Sequence, residues 1–76
     1  MMVTKYIIQT KMDTRPDLDY FYAGQNREGA PVYELKKSLA KRYNSWEEAD
    51  RDARILAARY KAFGDVYTVS TVRCRT

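Results

Sequence analysis

Cys74 is the chain's one thiol and histidine is absent, so the usual nucleophile and the usual general base come down to a single side chain. A thiolate attacks only where a nearby cation or base lowers its pKa. Arg73 and Arg75 flank Cys74, but on a strand they point to the opposite face. Cys74 therefore reads as a small apolar residue, and one thiol forms no internal disulfide. Without histidine, His-assisted Ser or Cys catalysis and His-based metal sites are excluded. Asp13, Asp17 and Asp19 fall together in DTRPDLD, where carboxylates could hold Ca²⁺ or Mg²⁺. The stretch lacks the spacing and glycine of an EF-hand, and Asp caps its own backbone in turns, so turn chemistry explains it better. No P-loop, G-x-G-x-x-G or cysteine quartet is present. The expectation is a protein that is not an enzyme and uses no cofactor or metal.

Cations and tyrosines are the remaining groups with chemistry to offer. Lys36, Lys37, Lys41 and Arg42 form the densest basic cluster in a chain of formal charge +4 that contains seven tyrosines. Tyr20, Tyr22 and Tyr33 lie just before that cluster in sequence. Cations neutralise phosphates and tyrosine rings stack on bases, the combination used by single-strand binders on sheets. Tyr and Arg are also enriched where proteins dock on proteins. Against nucleic acid, there is no RNP-like aromatic run, no GXXG loop and no helix-turn-helix pair. The one strong helix begins with Glu47, Glu48, Asp50 and Asp52, which phosphates would repel. Solubility explains the lysines too.

These groups need elements to position them, and 76 residues make room for a single domain, residues 1–76. The helix is predicted over about Ser45 to Phe63. Ser45 and Glu48 have capping-box spacing, acids crowd the first turns and bases the later ones, and Gly64 is placed to end it. Glu47 with Arg51, and Asp50 with Arg54, are spaced to pair along the helix. Ala49, Ala53, Leu56 and Tyr60 line the stripe expected to be buried, with Trp46, Ala57 and Phe63 on its flanks, while Ile55 falls off it. Strands are predicted over Val3 to Met12 and Val66 to Cys74, where β-branched residues and period-two alternation dominate. Tyr20 to Ala23 and Val32 to Leu35 read as a hairpin around Gly24 to Pro31, and Asp13 to Asp19 as the connection leading into it. Lys36 to Tyr43 is expected to be an extended arm, with Leu39, Ala40 and Tyr43 as anchors.

The order is thus β-β-β-α-β: an α+β domain with an antiparallel sheet of about four strands and one helix on one face. The strand that opens the chain carries apolar residues on both faces, Ile7 on one and Tyr6 and Ile8 on the other. The face turned from the helix then calls for a cover, and a second copy of the chain is the simplest one; ordinary exposed strand residues account for the pattern as well. The longest apolar runs are only a few residues, so neither a membrane span nor a signal peptide is expected and the location reads as cytoplasmic.

Around the helix start, Ala40-Lys41-Arg42-Tyr43-Asn44-Ser45-Trp46-Glu47-Glu48-Ala49 resembles the A-x-x-[FY]-x-S-x-E-E-A segment of small phage and prophage accessory proteins. In those chains a hairpin precedes the segment and a closing strand follows the helix. The resemblance implies a stoichiometric inhibitor of host defence or host enzymes, anti-CRISPR proteins included. Inhibitors that mimic DNA are strongly acidic, whereas this chain is basic, so it would occupy a protein surface or the nucleic acid itself. The expected function is a non-catalytic phage-type accessory protein that binds a host protein or protein–nucleic-acid complex. Its contact surface would be Tyr20, Tyr22, Tyr33, Lys36, Lys37, Lys41 and Arg42. The alternatives are a small basic nucleic-acid-binding domain, and capture of a small anionic ligand at a homodimer seam.

Overall fold

Period-two alternation in the first segment builds the strand around which the rest assembles. The computed structural model describes residues 2–12, 15–59 and 66–75. Strands β1 (Met2–Met12), β2 (Arg15–Gln25), β3 (Pro31–Glu34) and β4 (Val66–Arg75) form one antiparallel sheet in the order β3-β2-β1-β4. A single helix, α1 (Trp46–Arg59), packs against it, as expected. The β1–β4 ladder runs without a bulge from Met2↔Arg75 to Lys11↔Val66.

The stretch from Arg15 to Asp19 is strand and not connection, because β2 begins at Arg15, opposite Met12. Pro16 and the acids suggested a loop, yet β3 pairs with β2 only over Phe21 to Gln25. Proline's missing N–H is tolerated where a strand's other edge carries no ladder. Asp13 lies outside the described residues. Between β2 and β3 the turn is organised by Asn26, whose Oδ1 accepts from the amides of Glu28 (2.9 Å) and Ala30 (3.0 Å). Gly29 (φ 81°) and, at the register shift after Tyr22, Gly24 (φ 106°) take the left-handed backbone that side chains disfavour.

At the start of α1 the hydroxyl half of the capping box forms, with the Glu48 amide donating to Ser45 Oγ at 3.3 Å. Asp50 pairs with Arg54 at 2.9 Å. Ala49, Ala53 and Leu56 are buried against Ile8, Tyr22 and Tyr43, with Tyr6, Tyr33, Tyr67 and Val69 around them. The alanines let the helix axis approach the sheet closely. Tyr60, Phe63 and Gly64, expected to extend the stripe and stop the helix, lie outside the described residues. Trp46 and Ile55 are both about half exposed.

The face turned from the helix has its own core. Ile7 (0% exposed), Phe21 and Ala40 are buried there, with Val72 packed beside them. Burial of a side chain such as Ile7 contributes about 1.5–3 kcal/mol. The chain itself thus covers the apolar residues that pointed to a second copy on this face.

Candidate interaction surface

The residues between β3 and α1 bring together most of the predicted contact residues. A single 3-10 turn, Lys37–Leu39, follows the bend at Leu35 and Lys36, and an extended run leads from it to the helix. That run enters the sheet. The Lys41 amide donates to the Tyr22 carbonyl at 2.8 Å. Tyr43 exchanges both backbone bonds with Tyr6, at 2.8 and 3.0 Å. The arm therefore plugs the fork where β1 and β2 separate. Two side chains anchor it: Ala40 is buried in the far-face core and Tyr43 in the helix-side core. Leu39, expected as a third anchor, is 53% exposed, and Leu35 is 57% exposed. A 3-10 turn with three residues per revolution cannot bury Leu39 and Ala40 on the same side.

Lys36, Lys37, Lys41 and Arg42 are all exposed along this arm. Lys41 Nζ stands 5.1 Å from the centroid of the Tyr43 ring, a cation–π contact, and Arg42 reaches the Ser38 carbonyl at 3.5 Å. Beyond the arm lies an open cleft of about 380 Å³ lined by Lys41, Arg42, Tyr43, Asn44, Glu48, Arg51 and Asp52. Lys5, at the other side of Asn44, donates to its Oδ1 at 2.5 Å. Arg51 and Lys5 thus extend the basic strip, although neither was legible as part of it. Arg51 is one of several helix cations, and Lys5 is remote in sequence.

Tyr43 is the hinge between arm and helix. Its hydroxyl donates to Asp52 Oδ2 at 2.6 Å. Burial, and then the hydrogen bond and negative charge of Asp52, push the phenol well above its ordinary range. Tyr43 therefore stays a neutral donor at any physiological pH.

The predicted tyrosines are placed differently from the cations. Tyr22 is buried at 4% exposure, and its ring meets Tyr33 at 6.2 Å, centroid to centroid. Tyr33 meets Tyr67 at 6.4 Å, and their hydroxyls lie 2.7 Å apart. Since β3 and β4 are opposite edges of the sheet, these two rings span it on the helix side. Thr10, paired with Tyr20 and Tyr67, is buried on the same face. Tyr20 is half-buried. The tyrosines complete the helix-side core rather than stand as an open platform. The cause is tertiary: α1 lies over β4 and β1, so the remaining half of its face is filled by rings.

No matching family model, curated protein or solved structure was found for this chain. Among the described residues no three His, Cys, Asp or Glu side chains cluster as metal ligands. No described helix is long and apolar enough to cross a membrane.

Proposed function

We propose that this chain is a non-catalytic accessory protein of the phage type, which binds and modulates a host protein through the arm at residues 35–42. One observation carries the reading. Leu35 and Leu39 stand exposed among Lys36, Lys37, Lys41 and Arg42, on a segment held by the buried Ala40 side chain and by the backbone bond from Lys41 to Tyr22. A pinned arm loses little entropy on binding, so its contacts go into affinity. Exposed leucines ringed by cations fit a partner surface with an apolar centre and an acidic rim. The resemblance at residues 40–49 supports the accessory role. The host partner is an inference from it.

The nucleic-acid reading is second, favoured by the meeting of Lys41, Arg42 and Arg51 around one cleft. It loses Tyr22 as a stacking surface, and Glu48 and Asp52 share the cleft. The two readings separate on variants. Capture by the tagged protein from bacterial lysate, with and without nuclease, is compared for the wild type, Leu35→Ser/Leu39→Ser and Lys36→Glu/Lys37→Glu. A discrete protein retained after nuclease and lost with the leucine pair supports protein docking. Recovery of nucleic acid by the wild type and the leucine variant alike, lost on charge reversal with a reduced salt slope, overturns it.

A further inference from the structure

Among the described residues, the longest strand edge without a ladder partner is the outer edge of β4. Of the sheet's two edges, β3 is four residues long and runs straight into the arm, whereas β4 is ten residues long. Edge strands are protected by shortness, bulges, proline or charge along their length. β4 has no bulge and no proline, and its only charges are Arg73 and Arg75 at one end.

The direction of its backbone groups follows from the arm. Tyr6 spends both its N–H and its C=O on Tyr43, on the side of β1 away from β4. In an antiparallel ladder the residue opposite such a position also turns both groups outward. That residue is Thr71, and by alternation Val69 and Arg73 do the same. Their side chains share the helix side of the sheet, because Val69 packs against the helix-side core.

What stands above this edge is equally defined. Asp52 lies on the flank of α1 that faces Tyr43. At 100° per residue, Trp46, Asp50 and Ala57 occupy the opposite flank, over β4. Trp46 is 48% exposed, and Asp50 bonds Arg54 through Oδ2, so Oδ1 is without a partner among the described residues.

We propose that two copies of this chain associate through their β4 edges, antiparallel about a two-fold axis at Thr71, into one continuous eight-stranded sheet. In this register Thr71 pairs with Thr71 of the second copy and Val69 with its Arg73, so these three outward-facing residues find partners. Centring on Arg73 instead would oppose two guanidinium groups. The two-fold carries Arg73 of the second copy, exposed and on the helix side, to Val69, beneath the flank that bears Trp46 and Asp50. Its guanidinium meets a carboxylate and an indole, and the contact is made twice by symmetry. The arm surface is not used, so this assembly is independent of the proposed function.

Light scattering after size exclusion over a concentration series tests it. The wild type should move from 8.9 kDa toward twice that mass as concentration rises. Thr71→Pro removes only an outward N–H, leaves the ladder to β1 intact, and should stay monomeric with an unchanged circular dichroism spectrum. A wild type that remains monomeric throughout, or a folded Thr71→Pro that still dimerises, overturns the proposal. Should Thr71→Pro fail to fold, the charge pair decides. Arg73→Asp should weaken dimerisation about tenfold or more, and adding Asp50→Arg should restore it. Equal dimerisation by wild type and Arg73→Asp overturns it.

Discussion

Removing one oxygen from Tyr43 tests the clamp between arm and helix. Tyr43→Phe keeps the buried ring, and with it the packing against Ile8, Tyr22 and Ala49. What is lost is the 2.6 Å hydrogen bond to Asp52. Bonds to a charged group contribute about 1.5–3 kcal/mol. Asp52 is half-buried, and water can replace the phenol on it, so the expected loss at neutral pH is at the lower end, about 1.5 kcal/mol. In a domain of this size that lowers Tm by roughly 6–12 °C. A second signature follows from the raised phenol pKa. The unfolded chain releases the Tyr43 proton near pH 10 while the folded chain retains it. This contribution is therefore whole below pH ~10 and falls by about 1.4 kcal/mol per pH unit as pH rises toward the folded value. Urea melts of wild type and Tyr43→Phe at neutral pH and in steps through pH ~10–11 measure both effects. The stability gap should narrow as pH rises, because only the wild type carries this proton. A gap below about 0.5 kcal/mol at neutral pH, or one that is constant across the alkaline range, would refute the clamp.

Two further substitutions probe the fold itself. Ile7→Ala should cost about 2–5 kcal/mol by urea melt, since Ile7 is fully buried in the far-face core; a cost below about 1 kcal/mol would mean that this core contributes little. Ser45→Ala should cost about 1 kcal/mol in the same assay by releasing the Glu48 amide, and Ser45→Asn should recover most of it.

Local rules in the sequence were enough for the sheet, the helix and their order. Ser45 with Glu48, the acid-to-base polarity of the helix and the alternation in β1 and β4 act within a few residues, and the elements form where they indicate. The basic arm was legible for the same reason, because its four cations are neighbours in the chain. Tertiary structure decided which side chains each surface presents. Ala40 and Tyr43 became anchors while Leu39 was left out, because Leu39 closes the 3-10 turn ahead of the extended run that enters the fork. Tyr22 went into the core and Tyr33 packed against it, because one helix cannot span four strands and large rings close the remainder. Ile7 was buried without a second chain, and the open edge went to β4, since strand order depends on pairings between residues far apart in the sequence. Spacing along the chain sets which residues share a face. Only the closed fold settles which of those faces water still reaches.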